Sequence, residues 1–437
     1  MENKSYFIDT YGCQMNLADS ELVKTLLMDA GYQPASKLES ADAIFVNTCA
    51  IRDHAEQKVH SQLGRYSKIK ESRRNIIIGV LGCMAQSLKH DLLEKKPYVD
   101  IVLGPDSYRK LPDLLNRVHI DQSSVVDTTL SRYEVYDNLY PSRQEGINAW
   151  ISIMRGCDKF CTFCVVPFTR GRERSRNSES IIKEAKKAVI DGFVEVTLLG
   201  QNVNSYEYNG YKFHQLLEKV AQVPSLKRIR YTSPHPKDIT NDLLDVMASN
   251  DNICKNIHLP LQAGNDKILN RMNRTYTRKY FLNLVDNIRQ TIPGVGISTD
   301  IIVGFPGETD IEFQDTIRVM ENVKFDSAFM FKYSSRRGTK ASEYEDHIND
   351  TEKQERLEKV IELQKMHSLE RNNALIGKHE IVLVEKNSKK STNKWAGRTD
   401  TNKWVIFDKE DAQIKDMVKV EITDSTGVSL RGALVKE

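Results

Sequence analysis

The stretch Met154–Arg176, "MRGCDKFCTFCVVPFTRGRERSR", puts three cysteines within eight residues and then an arginine at every second position from 170 to 176. Cys157, Cys161 and Cys164 are spaced C-x3-C-x2-C. They follow a strand-like run, "AWISIMRG", so the thiols lie in the loop at a strand's carboxyl end, where catalytic loops of β/α barrels sit. Three thiolates suit a soft metal. A structural zinc asks for four ligands, and no histidine or fourth cysteine stands nearby in sequence. A four-iron cube held by three thiolates keeps one iron open to an outside ligand. The plainer alternative is a set of buried cysteines, which are common in cores.

Downstream, "EVTLLG", "RIRYTS", "NIHLPL", "ISTDIIVG" and "SAFMFKYS" repeat the strand pattern, with a helical pattern between each pair. Six β/α units are fewer than the eight of a closed TIM barrel, so the spacing predicts an open, partial (β/α)6 barrel. A charged helix over 351–374 ends it. The tail then changes character. "HEIVLVEK", "KWAGRTD", "KWVIFD", "MVKVEITDST" and "SLRGALV" are short strands with polar turns, which predicts a small all-β barrel.

Upstream, "SYFIDTYG", "DAIFVNT", "NIIIGVLG" and "VDIVLG" read as strands. The helices between them carry Leu22, Val23, Leu26 and Leu27; Val59 and Leu63; and Leu88, Leu92 and Leu93. Leu111, Leu114 and Leu115 mark a helix after the last strand. Apolar strands alternating with amphipathic helices predict an α/β, doubly wound parallel sheet. Cys13, Cys49 and Cys83 each fall at the carboxyl end of one of these strands, a rim that such sheets use for ligands. Gly12 and Gly82 precede two of them and permit close backbone approach. Scattered core thiols are the alternative. Residues 121–146 lack periodicity and read as linker with a surface strand or two. The expected division is therefore 1–120, linker 121–146, 147–374 and 375–437.

The bulk numbers agree with a multidomain chain. There are 437 residues, 40 % hydrophobic and 28 % charged, with a net charge of +3, and that length predicts two or three domains. No apolar run is long enough for a bilayer, and the N-terminus goes straight into a strand, so the expected location is the cytosol, with no membrane partner. Seven cysteines, an odd number, argue against a disulfide framework and for metal or catalytic thiols. Cys254 stands apart from the others and reads as an ordinary buried thiol.

"MRGCDKFCTFCVVPFTRG" resembles the cluster loop of radical S-adenosylmethionine (SAM) enzymes. Two three-cysteine groups, a flavodoxin-like N-terminal domain and a β tail similar to a TRAM RNA-binding barrel resemble the methylthiotransferases over nearly the whole chain. "YGCQMN", "VNTCAIR", "GCMAQ", "CTFCVVPFTRG" and "GRTDTNKWVIF" look like blocks of the branch acting on isopentenylated adenosine in tRNA. That resemblance implies two 4Fe-4S clusters, one on Cys13, Cys49 and Cys83 and one on Cys157, Cys161 and Cys164. It implies SAM chelated at the open iron of the second, split to a 5'-deoxyadenosyl radical. It also implies transfer of a methylthio group to carbon 2 of N6-isopentenyladenosine beside the anticodon, with the tRNA anticodon arm, an external electron donor and a sulfur source as partners.

Other strand ends offer candidate SAM contacts: Gln201 and Asn202, Ser233 with His235 nearby, Gln262, and Gly304. Each also fits an ordinary turn or loop cap. Phe160 and Phe163 fit packing around the cluster or adenine, or plain core. Arg170, Arg172, Arg174 and Arg176 would share one face in an extended segment. Beside the cluster loop they are candidates for phosphate contact, against the alternative of a solvated loop paired with Glu173 or Glu179. Lys389, Lys390, Lys394 and Lys403 are further RNA candidates in the tail. Two alternatives remain at this level. One is a methylthiotransferase for threonylcarbamoyl-adenosine in tRNA or for a ribosomal protein. The other is a non-catalytic iron–sulfur protein that binds RNA.

Overall fold

The computed structural model describes residues 4–49, 53–143 and 145–435; of the "VNTCAIR" block, residues 50–52 lie outside the described residues. The chain opens with a six-stranded parallel sheet. Its strands are β1 (Ser5–Thr10), β2 (Gln33–Pro34), β3 (Ala43–Thr48), β4 (Ile77–Gly82), β5 (Ile101–Leu103) and β6 (Val125–Asp127), in the order β2-β1-β3-β4-β5-β6. β3 and β4 are buried at every position, as strands covered by helices on both faces must be. The covering helices are α1 (Gln14–Asp29), α2 (Asp53–Ser72), α3 (Cys83–Leu88), α4 (His90–Lys95) and α5 (Leu111–Asp121). The two clusters of buried residues flanking the sheet hold Leu22, Val23, Leu27, Leu111 and Leu115 on one side and Val59, Leu63 and Leu92 on the other.

The segment read as linker is structured. β6 completes the sheet beside β5. Beyond it, Tyr136 is buried: its hydroxyl donates to Pro105 O (2.8 Å) and accepts from Tyr108 N (3.0 Å). Arg143, also buried, ties Glu21 (2.8 Å) on α1 to Glu184 (2.8 Å) in the next layer. This segment fastens the first sheet to the barrel.

The barrel strands are β7 (Asn148–Ser152), the short β8 (Met154–Arg155) and β9 (Arg174–Ser175) that pair with each other, β10 (Glu195–Leu199), the hairpin β11 (Glu207–Tyr208) and β12 (Tyr211–Lys212), β13 (Arg228–Tyr231), β14 (Asn256–His258), β15 (Gly296–Val303) and β16 (Ser327–Lys332). β7, β10 and β13 form one parallel sheet and β14, β15 and β16 another; a parallel bridge between Ile229 and Ile253 joins them. The result is the expected open six-stranded barrel, with β16 as a free edge. Its helices are α6 (Val166–Arg170), α7 (Ser178–Ile190), α8 (Phe213–Ala221), α9 (Asn241–Ser249), α10 (Asp266–Arg271), α11 (Arg278–Thr291), α12 (Asp310–Val323) and α13 (Asp350–Asn373). Local chemistry sets their starts. Asn177, Thr240 and Thr277 each accept a backbone N–H of the following turn, and Thr309 and Glu312 form a reciprocal capping box.

The tail is a closed barrel of β17 (His379–Ser388), β18 (Ser391–Thr399), β19 (Trp404–Asp408), β20 (Met417–Ser425) and β21 (Ser429–Leu434), in the order β17-β18-β19-β21-β20. It docks where the parallel strands begin. Arg230 of β13 donates to Thr399 O (2.8 Å) and Asp400 O (3.1 Å), and Arg228 to Ile381 O (2.8 Å) and Arg398 O. Arg398 returns an ion pair to Glu195 (3.0 Å). The tail therefore sits at the end of the barrel opposite the cysteine loop. Among the described residues, no helix is long and apolar enough to cross a membrane.

Candidate active site

Cys13 caps the start of α1, Cys49 follows β3 and Cys83 opens α3. The loops close in on one another because of the glycines. Gly12 has φ +124°, and a Cβ there would come within 2.6 Å of Cys49 Cβ; one on Gly82 (φ +86°) would collide with Asn47 Oδ1. An amide network pins the rim: Asn16 Nδ2 donates to Asn47 Oδ1 (3.1 Å), and Asn47 Nδ2 donates to Asn16 O (3.0 Å) and Ser20 Oγ (3.0 Å). Cys13 Sγ donates to Asn16 Oδ1 (3.2 Å). A hydrogen bond from Cys49, outweighing burial, and the Arg170 charge lower the Cys13 thiol to about 6. Burial pushes the Cys83 thiol up against the pull of Arg170.

That arginine comes from the barrel. α6 follows Cys164 directly and packs on α3, carrying Arg170 into the first thiol group. Arg170 Nε donates to Cys83 Sγ (3.1 Å), and Nη1 pairs with Asp19 (2.7 Å). Its Nη2 is buried without a hydrogen-bond partner among the described residues. Asp19, fully buried on α1, also pairs with Arg155 of β8. Arg155 lies over the Tyr136 ring, 4.5 Å from its centre.

The run of alternating arginines therefore does not present four cations on one solvent face. Arg170, Arg174 and Arg176 are 2 %, 8 % and 3 % exposed. Arg174 makes a two-pronged pair with Asp106 (2.9 and 3.0 Å), and Arg176 binds Glu184 (2.7 Å) and Ser152 O (2.7 Å). Arg170 and Arg174 tie the barrel to the first sheet's domain, while Arg176 binds mainly within the barrel and reaches Asp137 of the connecting segment at 3.6 Å. Only Arg172 reaches solvent, paired with Asp158 (2.6 Å) above the Phe160 ring.

Cys157, Cys161 and Cys164 line a cavity of about 200 Å³ at the barrel mouth. Gly156 (φ +78°) lets this loop lie against Arg172 O, where a Cβ would collide. Burial raises the Cys157 thiol to about 11 and the Cys164 thiol to about 12. Arg274 Nη1 stands 3.4 Å from Cys161 Sγ. Gln201, Asn202, Ser233 and Gln262 all line the cavity. Gln201 Oε1 accepts Gly156 N (2.6 Å), while Gln201 Nε2, Asn202 Oδ1 and Gln262 Oε1 are buried without partners among the described residues. Gly304 is not part of this wall. Its N–H donates to Glu308 (2.6 Å), and its missing side chain makes room for Lys353 of α13. Phe163 lines the cavity and packs edge-on against Phe305 of the core, whereas Phe160 is exposed.

His235 lines the cavity too. Burial, then the charges of Arg274 and Lys159, lower it to about 2, and its Nδ1 accepts Lys237 N (3.2 Å). Sequence reasoning missed His258, Asp300 and Arg274 on this wall. His258 Nε2 pairs with Asp300 (3.2 Å) across β14 and β15. The two strand residues gave little signal, because Asn256 shares β14 with His258 and Ser298 and Thr299 stand beside Asp300 in β15, so neither stood out as a lone polar side chain. In the tail, Lys389 and Lys390 are exposed, and Lys394 pairs with Asp408 (3.2 Å) at the surface. Lys403 is turned inward, bound to Asp326 (2.8 Å) and Asn372 (2.8 Å).

Among the described residues, no three Cys, His, Asp or Glu side chains converge tightly enough for a single metal ion. A four-iron cube takes its thiolates at separate corners and needs a wider set. Both triads offer soft donors alone. Three orphaned amide atoms beside the second triad are what a small polar ligand would satisfy, since buried polar atoms are normally paired.

Residues 5–104 match uncharacterized protein family UPF0004, residues 151–320 the radical SAM superfamily and residues 374–435 the TRAM domain. The chain is 47 % identical over 444 residues to a tRNA-2-methylthio-N(6)-dimethylallyladenosine synthase of Parabacteroides distasonis, covering 100 % of this chain and 96 % of that protein. It is 44 % identical over 440 residues to one of Carboxydothermus hydrogenoformans, with both chains covered in full. Among solved structures, the radical SAM methyltransferase TsrM of Kitasatospora setae superposes with a TM-score of 0.60 at 13 % identity, over 78 % of this chain and 77 % of that one. The cobalamin-dependent radical enzyme OxsB gives 0.55 at 12 % identity, over 82 % and 56 %. Those two likenesses concern the fold.

Proposed function

The chain belongs to the tRNA-2-methylthio-N(6)-dimethylallyladenosine synthase family, and from that premise we propose that it adds a methylthio group to carbon 2 of N6-isopentenyladenosine next to the anticodon of tRNA. The observation that carries the reading is the joining of two thiol triads by one short helix, with Cys164 just before it and Arg170 at its end against Cys83. A ring C–H of this kind has no useful acidity, so a general base cannot open it. Four-iron clusters on Cys157, Cys161 and Cys164 and on Cys13, Cys49 and Cys83, together with SAM, supply the radical and methyl-transfer chemistry the position requires.

The chain's own residues bind, orient and screen. Gln201, Asn202 and Gln262 hold unpaired amide atoms toward SAM's polar groups, and Gln201 also fixes the loop at Gly156. The buried, neutral His235 adds no positive charge of its own to a cavity wall that already carries Arg274. Arg170 holds positive charge against the first triad, where bound thiolates would need a counter-charge. Electrons and sulfur come from partners outside the chain. The anticodon arm meets exposed cations, Arg172 near the mouth and Lys389 and Lys390 on the tail.

Mass analysis of tRNA nucleosides from a deletion strain tests this. We expect methylthio-isopentenyladenosine to vanish and isopentenyladenosine to accumulate. The intact gene should restore the product; genes carrying Cys13→Ala or Cys157→Ala should not. Unchanged methylthio-isopentenyladenosine overturns the reading, and loss of the threonylcarbamoyl counterpart would redirect it.

A further inference from the structure

β16 is the free edge of the barrel, and its side chains alternate cleanly. Met330 packs into the barrel core on the face covered by α13. Phe329 and Phe331 point the other way and are 56 % and 42 % exposed. Register identifies that other face. In a parallel pair, residues directly opposite point to the same side. Phe329 lies opposite Asp300 and Phe331 opposite Ile302. Asp300 lines the cavity that holds Cys157, Cys161 and Cys164. The two phenyl rings therefore extend the cavity wall outward to the open edge. His258, another lining residue, meets the Phe329 ring edge-on at 5.9 Å.

Two large aromatics left half in water on the inner face of an open barrel are unusual for a strand whose other face is packed. The occupant is indicated by the charge beside them. The loop leaving β16, residues 333–340, carries Arg336, Arg337 and Lys340. Arg337 has 95 % of its side chain exposed, with Asp91 of α4 at 3.6 Å. Flat apolar faces next to exposed guanidinium are the combination that accepts an unstacked base with its phosphate. A base inside an RNA loop must be turned out of its stack to reach a buried reactive centre, and aromatic walls are what receive it.

We propose that Phe329 and Phe331 form the face on which the target adenine and its N6-isopentenyl group lie, making them specificity-determining residues, with Arg337 holding the adjoining phosphate. This rests on the proposed methylthio transfer, and it adds the position of the base and the means by which the prenyl group is sensed. The prenyl group is apolar, and the ring faces offer it a surface that water otherwise covers.

The test is the affinity of the full-length, cluster-loaded protein for a synthetic anticodon hairpin made with and without the isopentenyl group. The intact protein should bind the prenylated hairpin more tightly. Phe329→Ala and Phe331→Ala should each weaken that binding by about 5- to 150-fold, the range for loss of one stacked base. Binding of the plain hairpin should weaken by a smaller factor, because it loses base stacking but no prenyl contact, and its salt dependence should change little, because phosphate contacts set it. Phe331→Trp should keep the preference. Iron content and melting temperature, matched to the intact protein, show that each variant is folded. A preference that survives both alanine substitutions overturns the inference, as does an intact protein with no preference. Absence of methylthio product in the deletion and rescue experiment overturns the reading beneath it, so the two failures are distinguishable.

Discussion

Arg170 and Asp19 show what a residue-level argument adds to a motif. Asp19 is fully buried and receives Arg155 and Arg170 from the barrel. Removing one partner of such a cluster leaves charge unpaired in low dielectric, at a loss of about 3–5 kcal/mol. Arg170→Gln should therefore lower the urea midpoint. It should also move the reduction potential of a cluster on Cys13, Cys49 and Cys83 downward, because a nearby cation favours the more negative, reduced state. A tenfold shift in the reduced fraction corresponds to about 59 mV for one electron, readable by potentiometric titration in a Cys157/Cys161/Cys164→Ala background. Arg170→Lys keeps the charge and should keep most of the potential. The grouping of the six cysteines into two triads was legible in sequence because thiol spacing and strand ends are local facts. The burial of Arg170, Arg174 and Arg176 was not, since Asp19 and Asp106 come from the first domain and Glu184 from the helix that follows, and alternation carries no information about them.

At the level of elements, long apolar strands declared themselves. β3 and β4 were readable because burial on both faces demands a largely apolar run. β2, with two residues, and β6, with three, are too short for any period to register; they exist because their neighbours offer free backbone groups. The "GRTDTNKWVIF" block illustrates a second limit. Family likeness marked it, yet the first part of the block does mechanical work in the fold. Arg398, Thr399 and Asp400 dock the tail on Glu195, Arg228 and Arg230. Arg230→Ala removes two donors from buried carbonyls and one ion pair with Glu195. We expect a loss of about 2–4 kcal/mol concentrated in the tail, seen as faster amide exchange in β17 and β18 with the first sheet unaffected.

Across the whole molecule, a net charge of +3 conceals an uneven distribution. Several cations are used up internally, and those proposed for RNA lie at two places: the cysteine-loop end of the barrel, and the tail at the opposite end. Lys389→Ala and Lys390→Ala should each reduce the slope of log affinity against log salt by about 0.7–0.9 if each neutralises one phosphate. Lys403→Ala should leave the slope alone and lower stability, because Lys403 serves Asp326 and Asn372. Filter binding over a salt series separates the two outcomes. The composition pointed toward lysines in the tail; only the folded arrangement divides them into inward and outward sets.

The brevity of α6 has a mechanical corollary. Five residues of helix lead from Cys164 to the guanidinium that touches Cys83, and a buried ion pair clamps the far end. So short a connection, anchored at both ends, differs in kind from the long tether of a swinging carrier. On the proposed reading, whatever passes between the two thiol triads crosses the short span this helix sets, and the RNA has to come to it.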